Sequence, residues 1–142
     1  MTISWNESLA MGLPVIDVQH KRFVELLAKL EGAIDTRNES THLIDVFDEL
    51  ALYVRYHFSE EEQRFNEFMC YEHAQEHRAV HEAFTKHVQE LRYQFLDDSF
   101  HGAQALAKTM FDWLREHIAK MDREYEACFR AHGMGGSTLP KA

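Results

Sequence analysis

The sequence predicts an all-α protein, an up-down-up-down antiparallel four-helix bundle with an N-terminal arm. Four stretches carry apolar residues at steps of three and four, which places those residues on one face of a helix. The connections between the stretches are short and polar, and short connections favour antiparallel neighbours. The 142 residues include only two prolines, Pro14 and Pro140, so the long central region lacks the residue that most often breaks helices.

The chain divides into three expected parts: an N-terminal arm over 1–16, the bundle over 17–132 and a flexible tail over 133–142. The arm contains Gly12 and Pro14, which interrupt regular structure, and it has enough apolar residues to pack on the bundle. The tail has three glycines and a proline, a composition typical of disordered termini.

The first two helices show the clearest periodicity. Helix one begins at about Asp17, a candidate N-cap, and a polar loop over 36–40 precedes helix two, with Ser40 or Thr41 as its candidate cap. A turn is expected around Asn66 to His73, where the pattern lapses. The stripe residues are His20, Phe23, Leu27, Leu30 and Ile34 in helix one, and Leu43, Phe47, Leu50, Val54, His57 and Glu61 in helix two.

The last two helices follow the same period. A connection is expected over Asp97 to Gly102, and helix four is expected to run past Tyr125 towards Gly133, a plausible C-terminal stop. The stripe residues are His77, His81, Phe84, Val88, Leu91 and Phe95 in helix three, and Leu106, Met110, Trp113, Leu114, His117 and Met121 in helix four.

Composition and charge exclude several classes of protein. The formal net charge of -9 repels phosphate backbones, so nucleic acid is not an expected partner. The N-terminus does not resemble a secretory signal, and no stretch is apolar enough to span a membrane, so we expect a cytoplasmic protein. The two cysteines, Cys70 and Cys128, are too few for a disulfide framework, and we expect reduced packing residues.

Polar residues with ligand chemistry lie on or beside all four apolar stripes. Taken singly, His20 or His117 is more simply a core histidine with a satisfied hydrogen bond. Together, nitrogen and oxygen donors at a matching level of four helices predict a metal site inside the bundle. The candidate ligands are His20, His57, Glu61, His77, His81, His117 and Asp122.

The two carboxylates differ in how well the pattern supports them. Of three consecutive glutamates only Glu61 continues its stripe, and a buried carboxylate needs a metal or a basic partner. Asp122 follows His117 by five residues, about 140° further round a continuous helix, so periodicity places it on the flank. A histidine-rich site with carboxylates suits iron, with zinc, manganese and cobalt remaining open.

Four motifs in this order resemble the hemerythrins, in particular the single-domain bacteriohemerythrins. The resemblance extends from about Ile3 to Phe129. It rests on Ile3-Ser4-Trp5 with Gly12 and Ile16-Asp17-Val18-Gln19-His20-Lys21, on His57-Phe58-Ser59-Glu60-Glu61-Glu62, on Tyr71 with His77 and His81, and on Trp113-Leu114-Arg115-Glu116-His117 with Asp122.

The resemblance implies a centre of two non-haem iron ions with a bridging oxo or hydroxo group. One ion would be held by His77, His81 and His117, and the other by His20 and His57. Glu61 and Asp122 would bridge them, which gives Asp122 a role that periodicity does not. Dioxygen would bind at an open position on the ion with two histidines.

The implied function is reversible dioxygen binding, for storage, delivery or buffering, by a protein that is not an enzyme. Weak oxidase or peroxidase-like chemistry stays open. The alternatives are an oxygen or redox sensor that acts through a separate partner, a di-iron enzyme that acts on peroxide or nitric oxide, and a structural bundle with zinc or no metal. Leu114 is the pocket residue that the resemblance supports most directly. The other pocket candidates neighbour ligands in sequence: Phe23, Phe58 and Ile118. Ordinary core packing is the alternative explanation for all four residues, and both explanations can hold together.

Overall fold

A computed structural model shows the predicted up-down-up-down bundle of four long antiparallel helices. It describes residues 3–35, 40–97 and 99–135, without the side chains of 35, 40–41, 95–97 and 99–106. No β-strand occurs in those ranges. The helices are α1 (Pro14–Asp35), α2 (Ser40–Phe68), α3 (Ala74–Asp97), α4 (Ser99–Lys120) and the short α5 (Glu126–Ala131), with 3₁₀ turns at Glu7–Leu9 and Asp122–Tyr125.

Helix α1 begins three residues earlier than predicted. Its first residue is Pro14, which fits because proline already has a helical φ and the first turn needs no N–H there. The prediction of Asp17 as N-cap is therefore wrong. Asp17 lies in the first turn, and its carboxylate accepts hydrogen bonds from the backbone nitrogens of Met11 (2.8 Å) and Gly12 (3.1 Å).

Two arginines near the C-terminal end of the described chain hold the arm in place. Arg123 donates to the carbonyl oxygen of Ser8 at 3.1 Å, and Arg130 donates to that of Met11 at 3.1 Å. Gly12 has a φ of 74°, and a Cβ there would collide with the Arg130 guanidinium, so this position requires glycine. The arm is thus bound to the segment that follows α4.

The turn predicted between helices two and three is confirmed. Helix α2 ends at Phe68, and Met69 adopts a left-handed φ of 59° while its N–H bonds to the carbonyl of Phe65 at 3.1 Å. The connection predicted over Asp97 to Gly102 is wrong, because α4 begins at Ser99 and continues through that glycine. A glycine inside a helix costs only about 1 kcal/mol relative to alanine, which surrounding contacts can offset. Residues 36–39 of the predicted loop over 36–40 lie outside the described residues. Helix α2 begins at Ser40, so Ser40 and Thr41 lie within it and not before it as caps, and the side chains of Phe95 and Leu106 are not among those described.

The predicted continuous fourth helix is wrong as well. Helix α4 ends at Lys120, the chain passes through the 3₁₀ turn, and α5 then runs to Ala131. Gly133, with a φ of 83°, ends α5 near the predicted stop, and the N–H of Met134 bonds to the carbonyl of Phe129 at 3.1 Å. Residues 136–142 of the predicted tail lie outside the described residues.

The apolar stripes meet in one core between the four long helices, as their periodicity predicts. Its largest members are less than 2% exposed. Within the described ranges, every helix is too short or too polar to cross a bilayer. The fully buried side chains include Phe23, Leu27, Leu30, Leu43, Phe47 and Leu50.

The expectation of reduced cysteines is wrong. Cys70 and Cys128 form a disulfide between the turn after α2 and helix α5, with Cα atoms 5.5 Å apart. The two residues are separated by 58 positions, and only the return of the chain after α4 brings α5 beside that turn. The spacing of the two cysteines in the sequence did not predict that they lie close together.

Candidate metal centre

All seven predicted ligand residues come together in the middle of the bundle. Their side chains come from each of the four long helices and from the 3₁₀ turn after α4, and none is more than 5% exposed. The residues are His20 on α1, His57 and Glu61 on α2, His77 and His81 on α3, His117 on α4 and Asp122 on the 3₁₀ turn.

The histidines form two groups. In the three-histidine group, Nε2 of His117 lies 2.9 Å from Nε2 of His77 and 3.2 Å from Nε2 of His81. The two-histidine group consists of His20 and His57, whose rings meet edge to face with centroids 4.8 Å apart. The first group therefore presents three imidazole nitrogens to a common point, and the second presents two.

Each carboxylate has one oxygen on the side of each group. Oδ1 of Asp122 lies 3.1 Å from Nε2 of His77 and 3.0 Å from Nε2 of His117, whereas Oδ2 lies 3.2 Å from Nε2 of His20. Glu61 behaves in the same way. Its Oε1 lies 3.3 Å from Nε2 of His81, and its Oε2 lies 3.5 Å from Nε2 of His57.

The end of α4 explains how Asp122 reaches this position. On a continuous helix, the five-residue step from His117 would have turned the side chain away from the centre. Because α4 ends at Lys120 and a 3₁₀ turn follows, the backbone direction changes and the Asp122 carboxylate is fully buried between the two groups. Periodicity was misleading here because it assumed a helix that the chain does not form.

Hydrogen bonds at the outer nitrogens fix which nitrogen faces inwards. Nδ1 of His57 lies 2.7 Å from Oε1 of Gln19, and Nδ1 of His81 lies 2.7 Å from Oε2 of Glu62. An amide oxygen and a carboxylate oxygen only accept, so each Nδ1 carries the hydrogen and donates it. When either ring is neutral, its Nε2 therefore turns a lone pair towards the centre.

His77 has a longer outer chain. Its Nδ1 lies 2.9 Å from the hydroxyl of Tyr71, which donates to Oε1 of Glu124 at 3.3 Å. Since the tyrosine proton goes to Glu124, the His77 Nδ1–H donates to the tyrosine oxygen, and Nε2 is again the nitrogen that faces the centre. Outer hydrogen bonds of this kind orient metal-binding histidines and increase their basicity.

The facing donors fit a pair of metal ions. Lone pairs of nitrogen and oxygen about 3 Å apart in a buried site repel one another unless a cation lies between them. Four buried atoms of this set make no hydrogen bond within the described part of the chain: Nε2 of His20, Oε1 of Glu61 and both oxygens of Asp122. Donors about 3 Å apart correspond to neighbouring positions around an ion about 2.1 Å from each.

Burial and neighbouring charges set the pKa values, and so the protonation states, of the side chains in the centre. Burial lowers the pKa of His57 to about 4, so this ring is neutral. Burial also lowers the pKa of His81, but its hydrogen bonds with Glu61 and Glu62 outweigh that effect and raise it to about 9. Burial raises the pKa of Asp122, yet the surrounding histidines hold it well below its usual value. Burial likewise raises the pKa of Glu61, but His57 and His81 lower it to about 2, so both bridging candidates are ionised.

Tyr125 closes the centre on the side of the 3₁₀ turn. Its hydroxyl donates a hydrogen bond to Oε2 of Glu61. Burial, together with the nearby charges of Asp122 and Glu61, raises the pKa of Tyr125 well above its usual value. The residue therefore stays a phenol and holds the Glu61 carboxylate in place.

Aromatic rings cover the three-histidine group. Phe58 stacks on His81 with centroids 3.8 Å apart, and Trp113 stacks on His117 at 4.2 Å. The edge of His81 and its partner Glu62 lie in a surface depression between α2 and α3. The predicted pocket residues are all at most 5% exposed, which suits a dry pocket and core packing equally, so their role stays a prediction: Leu114, Phe23, Phe58 and Ile118.

The sequence analysis did not identify the residues behind the ligands. Gln19 and Glu62 each lie directly beside a predicted ligand in the sequence, and that adjacency was the available signal for them. Tyr71 belongs to a motif of the resemblance, without a stated role. Tyr125 gave no signal, because its contact with Glu61 joins residues 64 positions apart.

Comparison with known proteins agrees with this geometry. A family model described as the hemerythrin HHE cation binding domain matches residues 11–129, most of the chain. The chain belongs to the hemerythrin family. Hemerythrins are in general oxygen-binding proteins that contain non-haem iron, rather than enzymes.

Several relatives in the hemerythrin family are similar along most of their length. A bacteriohemerythrin of Stenotrophomonas maltophilia is 35% identical over 130 residues, which cover 90% of this chain and 82% of the relative. A bacteriohemerythrin of Pseudomonas aeruginosa is 33% identical, covering 92% and 82%. The hemerythrin subunit alpha of Lingula anatina is 29% identical over 123 residues, covering 87% and 92%.

Proposed function

We propose that this protein binds dioxygen reversibly at a centre of two non-haem iron ions. The observation that carries the proposal is the convergence of imidazole Nε2 atoms and ionised carboxylate oxygens in a buried site. Neutral imidazoles and carboxylates are the donors that iron accepts, and membership of the hemerythrin family favours iron over zinc, manganese or cobalt.

We assign one iron ion to each of the two histidine groups. His77, His81 and His117 would hold one ion and His20 and His57 the other. Glu61 and Asp122 would each offer one oxygen to either ion, and an oxo or hydroxo group would complete the centre. Two ferrous ions would supply the electrons for dioxygen binding and regain them on its release. The two-histidine group provides one imidazole fewer, so we place dioxygen on that side.

The surrounding residues keep this chemistry dry. Burial of the seven ligand side chains excludes bulk water, and exclusion of water suppresses loss of bound oxygen by side reactions. Leu114 lies one helical turn before His117 and is 1% exposed, so we assign it to the oxygen pocket, with Phe23, Phe58 and Ile118 as further wall residues. We propose a cytoplasmic carrier, for oxygen storage, delivery or buffering, rather than an enzyme.

The test is a metal count with optical spectra on protein loaded anaerobically with ferrous iron. The expected result is two ions per chain and a visible charge-transfer band that appears under oxygen and fades under argon through repeated cycles. Irreversible conversion to a ferric form would contradict reversible binding. Sustained turnover of peroxide or nitric oxide with a reductant would favour the enzyme alternative instead.

A matched pair of histidine variants tests the assignment of the centre. His77→Ala removes an inward-facing donor and should lose iron and the oxygen-dependent band. His73→Ala removes an exposed histidine of the adjacent turn whose ring nitrogens pair with Glu72 and Glu76 outside the centre, and should behave as the unmodified protein. Equal iron contents in the two variants would contradict the ligand assignment.

A further inference from the structure

We infer that the Cys70–Cys128 disulfide is a second redox site, which undergoes thiol–disulfide exchange with a dithiol reductant through attack at Cys70. Cys70 lies on the exposed turn after α2, whereas Cys128 is only 8% exposed. An attacking thiolate must reach a sulfur along the disulfide axis, so the exposed sulfur is the accessible target and the buried one leaves.

His132 is placed to assist the exchange. Its Nδ1 lies 3.0 Å from the carbonyl oxygen of Cys128 and 3.7 Å from Sγ of Cys70, while its ring stacks on Phe68 at 4.2 Å. A carbonyl oxygen only accepts, so Nδ1 carries a hydrogen, and that N–H can also donate to a Cys70 thiolate. A donor beside a cysteine sulfur stabilises the thiolate that exchange produces.

The same hydrogen argues against a metal site at this cluster. Two cysteines and a histidine close together can bind a metal through thiolates and an unprotonated imidazole nitrogen. Here the nitrogen that faces the sulfurs donates to a carbonyl, and the two sulfurs are bonded to each other. The arrangement suits sulfur exchange better than ligation.

The exchange balances with a dithiol as the reductant. A dithiol thiolate attacks Sγ of Cys70 and forms a mixed disulfide, while the Cys70–Cys128 bond breaks and Cys128 leaves as a thiolate that takes up a proton. The second thiol of the reductant then attacks its own sulfur in the mixed disulfide. The reductant leaves as a disulfide, and Cys70 is released as a thiolate beside His132. When the Cys70 thiolate takes up a second proton, the protein has gained two electrons and two protons in sum.

Other contacts also hold α5 against the bundle, so we expect the helix to stay docked when the disulfide opens. Phe129 and Tyr125 are fully buried, and Arg130 binds the arm through the carbonyl of Met11. In the cytoplasm, where we place the protein, disulfides are typically transient, catalytic or redox-sensing. A disulfide that is exposed belongs to that reducible class.

The location of the disulfide gives the exchange a consequence for the metal centre, and this part rests on the proposed function. Tyr71 follows Cys70 directly, and its hydroxyl joins the ligand His77 to Glu124. Cys128 anchors the segment that carries Glu124. The disulfide thus ties together the two chain segments that meet at the outer hydrogen bond of His77, and its reduction should loosen that bond.

Thiol counting on the full chain tests the exchange itself. Without denaturant, the unmodified protein should take up no alkyl group before treatment with dithiothreitol and two afterwards. In the single-cysteine variants, Cys70 in Cys128→Ser should react with a disulfide reagent at least about tenfold faster than Cys128 in Cys70→Ser. A disulfide reduced only in denaturant, or a faster Cys128, would overturn the proposal.

The contribution of His132 is tested in the Cys128→Ser background. His132→Phe retains a ring that can stack on Phe68 but removes the N–H, and should slow alkylation of Cys70 severalfold. His73→Phe, the same change at an exposed histidine of the neighbouring turn, should leave the rate unchanged. Equal rates in both would show that His132 does not assist.

Iron release tests the link to the metal centre. The Cys70→Ser/Cys128→Ser double variant mimics the reduced state without an added thiol, and should lose iron to a chelator severalfold faster than the unmodified protein. Equal release rates would overturn the coupling. The thiol measurements need no iron, so failure of the exchange and failure of the proposed iron site give different results.

Discussion

The two histidine groups of the centre differ in the hydrogen-bond partners of their outer ring nitrogens. In the three-histidine group, His81 donates to the carboxylate of Glu62 and His77 to a tyrosine that is itself bonded to a carboxylate. In the two-histidine group, His57 donates to the neutral amide of Gln19, and Nδ1 of His20 makes no hydrogen bond within the described residues. One group thus has more donors and anionic support, and the other has fewer donors and neutral support.

This difference indicates how one bundle can make two unequal metal positions from the same residue types. A carboxylate behind an imidazole increases the electron donation of the ring and fixes its orientation. The group with three rings and anionic partners is suited to hold an ion firmly. The group with two rings and a neutral partner is suited to an ion that still has to accept a ligand.

The largest expected effect comes from removing a ring of the smaller group. His57→Ala should leave the three-histidine group able to bind, so the iron content falls from two ions per chain to about one and the oxygen-dependent band disappears. Metal analysis and optical spectra measure both. His87→Ala, at an exposed site on α3, is the control. Two ions and an intact band in His57→Ala would contradict the division of the groups.

Exchanging the charges of the hydrogen-bond partners behind His81 and His57 should reduce the difference between the two histidine groups. Glu62→Gln removes the charge behind His81, so the iron reduction potential should rise and iron affinity should fall about tenfold. Gln19→Glu adds a charge behind His57 and should lower the potential. Spectroelectrochemistry separates this from a structural effect, because the two substitutions shift the potential in opposite directions. Shifts in the same direction would show that the outer charges do not set the difference.

Leu114→Ala should affect the oxygen-binding side through the entry of water. The cavity should speed autoxidation severalfold, followed as decay of the oxygen-dependent band. Leu30→Ala is a matched control, since Leu30 is equally buried but lies on α1 about ten residues beyond His20. Each change should cost about 2–5 kcal/mol of unfolding free energy. If both variants autoxidise equally, the pocket assignment of Leu114 fails.

The smallest expected effect is a difference in proton release between His81 and His57 when iron binds. In the iron-free protein the pKa of His81 is raised from 6.5 to about 9, so its contribution to stability is complete below pH 6.5 and is lost as the pH rises through 9. Iron binding requires this ring unprotonated, so loading near pH 7.5 should release about one proton from His81 and none from the already neutral His57. Calorimetry in buffers of different ionisation enthalpy measures the release, and a His81→Gln variant should abolish it.

How much of this could be read from the sequence depends on the range of each interaction. Glu61 could be predicted because α2 is regular and its stripe continues without a break through Val54 and His57. Asp122 could not be predicted from periodicity, because a 3₁₀ turn breaks the helix just before it, and the family resemblance alone supported it. Pro14 moved the start of α1 for a purely local reason, the geometry of its ring.

The residues that support the ligands could be identified only from the folded structure. The contacts of Gln19 with His57, of Glu62 with His81 and of Cys70 with Cys128 each join different segments, and nothing in the linear pattern encodes them. Stripe periodicity reports which face of a helix is buried. It does not predict which polar atom of a neighbouring segment a side chain will contact.

The 3₁₀ turn after α4 also bears on the order in which the protein is made. Asp122 is the last of the seven ligands to leave the ribosome, and the turn that orients it is bound through Arg123 to the arm, which is synthesised before all seven ligands. A nascent chain that already displays His20, His57 and His77 therefore has no second bridge between its two groups. On the proposed assignment, we expect insertion of both ions to wait until the two ends of the domain have met.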